Sequence, residues 1–186
     1  MQDEAARLLK AIKNLETSYF KVALLALLNT GMRPEEMLAL CKADFIEGEE
    51  LLFQVTGSLS DRSNQRNDYV KTDSSRRSTP IDDYTAKVTK EWIQTKERQL
   101  KEIGLKPTLE MPIASNSLDH CTYQKFKNDW DDFTAKIGLK NVRPYALRHT
   151  FATLNLANGE NIKTLSVILG HKSSAYMLDL YAGYVP

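Results

Sequence analysis

One stretch, Phe20-Lys21-Val22-Ala23-Leu24-Leu25-Ala26-Leu27-Leu28, is apolar on nearly every side of a helix. Such a helix must be surrounded by other elements, so it predicts a central buried helix around which the rest of the chain is wrapped. The 186 residues suffice for one domain with a real core and are marginal for two. A composition of 42% hydrophobic and 26% charged residues is that of an ordinary globular protein. Val22 to Leu28 is the longest apolar run and is too short to span a bilayer. The start, Met1-Gln2-Asp3-Glu4, lacks the basic and apolar regions of a secretory signal. No membrane association and a cytoplasmic location are therefore expected. Cys41 and Cys121 lie far apart and read as two reduced thiols rather than a disulfide.

The helical period recurs along most of the chain. Asp3 to Leu15 reads as a helix, and Thr17 or Ser18 can cap the central one, which runs to about Asn29 and stops at Gly31. Pro34 suits the first turn of the next, with Glu35 and Glu36 placed well against its dipole. Between Asp44 and Ile81 the period changes. Leu51–Thr56, Tyr69–Thr72 and Arg77–Ile81 read as short strands of a small antiparallel sheet, and Ser58 to Asn67 as a polar hairpin loop. Asp82 or Asp83 can cap a long helix reaching Ile103, and Gly104 to Ser117 is irregular, broken by Pro107 and Pro112. Thr122 to Ile137 is an amphipathic helix ended by Gly138, and three more helices follow at about 144–157, 161–169 and 174–183. The expectation is a mainly α chain with one small antiparallel β-sheet (α+β), and a single domain over 1–186.

The formal net charge is +1, which neither demands nor forbids a nucleic-acid partner, because affinity depends on where the cations sit. The last quarter carries Arg143-Pro144-Tyr145-Ala146-Leu147-Arg148-His149-Thr150, then Leu169-Gly170-His171, then Tyr181. An arginine at a helix start, a histidine just past a helix stop and a tyrosine one short helix later could gather around one phosphate, together with Arg33 and Lys71 from upstream. No metal-ligand spacing links the three histidines and two cysteines, and no G-x-x-x-x-G-K-[ST] occurs. No cofactor is expected.

These segments resemble the tyrosine recombinases, the phage-integrase family. Thr30-Gly31-Met32-Arg33-Pro34-Glu35-Glu36 is similar to the family's first arginine box, and Val70-Lys71-Thr72-Asp73-Ser74-Ser75-Arg76-Arg77 to its lysine hairpin. Arg148-His149-Thr150 and Leu169-Gly170-His171 resemble the second box, and Tyr181 falls where many integrases of mobile elements place the nucleophile. The resemblance implies the family's catalytic-domain fold and site-specific DNA recombination, with Arg33 and Arg148 on the non-bridging phosphate oxygens. It implies Tyr181 as nucleophile, Lys71 as acid for the leaving 5′ oxygen, His171 as a phosphate donor, and Glu36 as the residue that orients Arg33. Arg33, Lys71, Arg76 and Arg148 are the expected DNA contacts. Guanidinium suits the task because it stays charged and presents a planar fork of donors.

The pattern departs from the family at Tyr145, where a histidine is usual. Tyrosine can donate a hydrogen bond but carries no positive charge. It is read as a tolerated catalytic-site variant, with proton handling resting on Lys71 and His171. Taken singly, each residue has a plainer reading: Arg33 a surface or capping arginine, Lys71 a solvated strand residue, Tyr181 a core aromatic. Their joint order is what favours the recombinase. A catalytically inactive DNA-binding or regulatory relative and a topoisomerase-like relaxing enzyme stand as alternatives. The implied partners are double-stranded DNA and other protomers assembled on it. The N-terminal DNA-binding domain usual in the family is not expected in this chain. Five residues follow Tyr181, so a monomer is expected without DNA.

Overall fold

The computed structural model describes residues 2–60, 65–68 and 76–170. Its centre is helix α2 (Tyr19–Thr30), capped by Ser18, whose side chain accepts from the Lys21 amide. Val22, Leu24, Ala26 and Leu27 are fully buried, and each large side chain among them contributes about 1.5–3 kcal/mol. Lys21 is buried too. Its Nζ donates to the Lys13 and Leu15 carbonyls at 3.0 and 2.7 Å. That charge therefore ties α2 to the C-terminal end of α1 (Gln2–Asn14), where cations are favoured.

The other elements are arranged around this helix. After Gly31 comes the short α3 (Pro34–Leu38), then a 3₁₀ turn over Lys42–Asp44. Strands β1 (Phe45–Glu47) and β2 (Leu51–Val55) follow. A second pair, β3 (Gly57–Leu59) and β4 (Arg66–Asp68), precedes β5 (Arg77–Pro80). The sheet order is β1-β2-β5, antiparallel throughout, with Phe53 opposite Thr79 and Val55 opposite Arg77. Helix α4 (Asp83–Glu102), capped by Asp82, packs on α2. Next come α5 (Tyr123–Lys136), capped by Thr122, and α6 (Ala146–Ala157), which lies along α2. Last is α7 (Ile162–Leu169). One large core joins α1 to α5 and the sheet, and a smaller cluster of Ala152, Leu156, Leu165 and Leu169 fastens α7 to α6.

The mainly α, small-sheet expectation holds, with two corrections. Strand β1 had no counterpart in the sequence reading, being only three residues long beside a turn. The segment read as a polar loop over 58–67 contributes two of the three residues of both β3 and β4. Its cause is tertiary. Arg66 Nη1 donates to Asp44 Oδ2 at 2.8 Å and to the Ala39 carbonyl at 2.9 Å, and its Nε donates to Asp68 at 2.8 Å. This arginine pins the pair to the 3₁₀ turn, and no periodicity signals it. The strand expected at 69–72 and the helix expected at 174–183 lie outside the described residues. Cys41 and Cys121 are free and buried, and no described helix is long and apolar enough to cross a membrane.

Candidate functional site

The site is assembled at the C-terminal ends of two helices. Helix α2 stops at Gly31, whose left-handed φ of 61° turns the chain. A Cβ there would lie 2.4 Å from the Phe151 ring and 2.6 Å from Leu169, so glycine is what lets α6 and α7 close on this end. Helix α7 stops in the same way at Gly170, φ 67°. The last carbonyls of both helices therefore face one region, and helix C-termini favour cations there.

Two arginines occupy that region. Arg148, in the first turn of α6, is 2% exposed. Its Nη1 donates to the Gly31 carbonyl at 2.6 Å and its Nη2 to the Leu169 carbonyl at 2.9 Å. Arg77 enters from β5, and its Nε donates to the Ile168 carbonyl at 2.7 Å. A Cβ on Gly170 would come within 3.0 Å of Arg77 Nη1, so that glycine also makes room for the guanidinium.

Glu36 is the anion among these cations. It sits at the third position of α3, and its Oε2 accepts from the Arg33 backbone amide at 2.8 Å, as the acid of a capping box does. Oε1 accepts from Arg33 Nη1 at 3.2 Å. Both oxygens are shared with Arg77: Nη1 donates to Oε1 at 3.1 Å and Nη2 to Oε2 at 2.7 Å. The Arg77 and Glu36 side chains are 7% and 2% exposed, whereas Arg33 is 36% exposed. Burial pushes the Glu36 carboxyl up, but Arg77 and then Arg33 outweigh it and hold the group below its ordinary value. Burial pushes Arg148 down; the Tyr145 oxygen and Glu36 oppose that, while the charges of Arg33 and Arg77 add to it. Among the described residues, three guanidiniums thus lie around one carboxylate. The excess positive charge suits a bound anion.

Tyr145 stands at the rim, 38% exposed. Its ring centroid lies 5.9 Å from the Arg148 guanidinium carbon, and the ring meets His149 edge-on at 5.4 Å. Burial, then the charge of Arg148, pushes His149 below its ordinary value. Arg33 and Glu36, at the start of α3, thus lie near Tyr145 and Arg148, at the start of α6. Arg76 is exposed at the head of β5. Lys71, His171 and Tyr181 lie outside the described residues. Among the described residues no three His, Cys, Asp or Glu side chains are grouped to hold a metal ion.

Two features go beyond the sequence reading. Glu36 is divided between Arg33 and Arg77 rather than reserved for Arg33, and Arg77 belongs to the site. A signal for Arg77 did exist. It shares a strand face with Thr79, which is buried and donates to the Phe53 carbonyl at 2.9 Å. An arginine on an inward face needs an acid partner.

Comparisons with known proteins converge on one family. The phage integrase family model matches residues 1–183. The tyrosine recombinase XerA of Saccharolobus solfataricus is 30% identical over 153 residues, covering 82% of this chain and 42% of that protein. The tyrosine recombinase XerD of Oceanobacillus iheyensis is 26% identical over 199 residues, covering the whole chain and 61% of that protein. The chain thus spans about half the length of the curated relatives it matches. In fold it is similar to the Tn1549 transposon integrase solved with circular intermediate DNA. That match has a TM-score of 0.77 at 20% identity over 97% of this chain and 61% of the other. It is also similar to the catalytic domain of bacteriophage HP1 integrase, with a TM-score of 0.58 at 21% identity over 100% and 87%.

Proposed function

The chain belongs to the phage integrase family, and on that premise we propose that it is the catalytic domain of a tyrosine-type site-specific DNA recombinase. The observation that carries this reading is the convergence of Arg33, Arg77 and Arg148 around Glu36 from three separate elements. Arg33 and Arg148 take the non-bridging oxygens of the scissile phosphate. The Arg148 fork is held in plane by the Gly31 and Leu169 carbonyls, so little reorganisation is needed when charge develops. Tyr181 Oη attacks phosphorus, its phenolic proton passing to a base at the site, and forms a 3′-phosphotyrosyl bond. The bond to the 5′ oxygen breaks, and Lys71 protonates that oxygen as it leaves. A 5′ hydroxyl from the partner strand then reverses these steps and releases the tyrosine. The bond energy stays in a phosphodiester throughout, so resealing draws on no nucleotide. His171 donates to a phosphate oxygen, and Tyr145 borders the site where the family usually has histidine.

Each arginine carries a large share of the rate. A transition-state arginine in phosphoryl transfer is worth ~10³–10⁵, or about 4–7 kcal/mol. Double-stranded DNA is the substrate, contacted by Arg33, Lys71, Arg76 and Arg148. The chain is monomeric without DNA, joins other protomers on it, and works in the cytoplasm.

The test begins with a duplex recovered by binding selection from a randomised library. A nicked version of that duplex traps the cleaved state, and a denaturing gel displays any covalent adduct. The reading predicts an adduct that vanishes in Tyr181→Phe and falls at least a thousandfold in rate, by the figure above, in Arg33→Ala. Bound DNA with no adduct would establish an inactive DNA-binding relative instead. Relaxation of supercoiled plasmid without strand exchange would establish the topoisomerase-like activity.

A further inference from the structure

Arg77 has no part in the chemistry above, yet it holds both Glu36 and the end of α7. Its Nη1 and Nη2 span both oxygens of Glu36, and its Nε holds the Ile168 carbonyl at the end of α7. It lies six residues after Lys71 in sequence, and the carbonyl it holds is three residues before His171. One buried side chain therefore links β5, the carboxylate that grips Arg33, and the end of α7.

We propose that Arg77 is a positioning residue for the transfer reaction, setting the Arg33 guanidinium through their shared Glu36 while pinning the end of α7. The inference rests on the recombinase reading. The physical case lies in how Glu36 divides its lone pairs. With Arg77 in place, each oxygen accepts one Arg77 donor and one Arg33 donor, the backbone amide at Oε2 and Nη1 at Oε1. The Arg33 side chain reaches Glu36 through one nitrogen and is 36% exposed, against 7% for Arg77, so Glu36 aims Arg33 while its fork can still turn to a phosphate. Without Arg77, Glu36 stays 2% exposed with one counter-ion fewer. It then draws Arg33 inward or takes up a proton, and either outcome removes Arg33 from its firing position. Lysine at position 77 keeps the charge but cannot span two oxygens and a carbonyl at once. A Cβ at position 170 would sit 3.0 Å from Arg77 Nη1, so the glycine there leaves room for the fork.

The experiment compares the intact chain with Arg77→Lys and Arg77→Gln. Duplex affinity, single-turnover adduct rate between about pH 5.5 and 8.5, and the Arg33 guanidinium NMR signals (assigned through Arg33→Lys) are measured together. Positioning predicts that at saturating duplex the adduct rate is about ten- to a hundredfold lower in Arg77→Gln, beyond any loss of duplex affinity. The deficit deepens as pH falls and Glu36 protonates, and Arg77→Lys recovers part of it. The Arg33 signals shift in Arg77→Gln. An adduct rate that falls only in proportion to the folded fraction or to duplex affinity would overturn the proposal, as would unmoved Arg33 signals. If the unmodified chain itself forms no Tyr181-dependent adduct, it is the recombinase reading that fails, and the Arg33 signals alone then decide the positioning.

Discussion

Replacing Glu36 by glutamine leaves the shape of the site intact and removes the negative charge that faces Arg33 and Arg77. The glutamine oxygen can still accept on one side. On the other, an NH₂ group meets two donors, either Arg77 Nη2 and the Arg33 amide or Arg77 Nη1 and Arg33 Nη1. Arg77, 7% exposed, becomes a buried cation without its carboxylate. Breaking one side of a buried pair costs about 3–5 kcal/mol. With a urea slope near 2 kcal/mol/M, the unfolding midpoint falls by roughly 2 M. The sign of the pH dependence follows from the lowered Glu36 value. Its contribution is complete above the ordinary carboxylate value of 4.5 and is lost as pH falls through the lower folded value. The gap between the two proteins is therefore flat above about pH 5 and closes in acid. Urea titrations at a series of pH values supply both numbers. A gap below about 1 kcal/mol at neutral pH would refute the reasoning, because an exposed pair is worth no more than that.

Three other outcomes follow from the same geometry. Gly31→Ala meets Phe151 at 2.4 Å and forces an alanine to φ 61°, whereas Gly159→Ala at φ 84° meets nothing within 4 Å. Thermal unfolding will show Gly159→Ala losing only the ~1–2 kcal/mol of left-handed strain, and Gly31→Ala losing clearly more. Lys96 is buried, with Nζ donating to the Pro112 and Ser117 carbonyls, and burial lowers its value to about 8. The unfolded chain keeps that proton to about pH 10.4, so it binds more protons between the two values. Stability relative to Lys96→Met therefore rises across that window in urea titrations. Tyr145 meets Arg148 through its ring, so adduct formation on a suicide duplex will survive Tyr145→Phe and suffer in Tyr145→Ala.

The parts of the fold legible in the sequence are those that local chemistry decides. Helix α2 declares itself by apolar residues on every side, and Ser18, Asp82 and Thr122 announce helix starts because their oxygens have nearby amides to accept from. The β3–β4 pair was illegible because what holds it is Arg66, reaching Asp44 across 22 residues. At the site, the motifs single out Arg33, Glu36, Tyr145 and Arg148, which fall into two touching pairs close enough to feel one another's charge. They do not disclose that Arg148 spends two donors on helix-end carbonyls, since those depend on how α2 and α7 converge. Nor do they separate Arg77 from Arg76. The strand's alternation carries that distinction, but only once the inward face is known.

The covalent bond between Tyr181 and DNA is tested most directly by the peptide that bears the nucleotide. After trapping on a suicide duplex, the complex is digested with nuclease and protease and the nucleotide-bearing peptide is sequenced by tandem mass spectrometry. The account predicts a single modified residue, Tyr181, joined to a 3′-phosphate. A nucleotide on any other side chain, or none on protein that remains bound to its duplex, would contradict it.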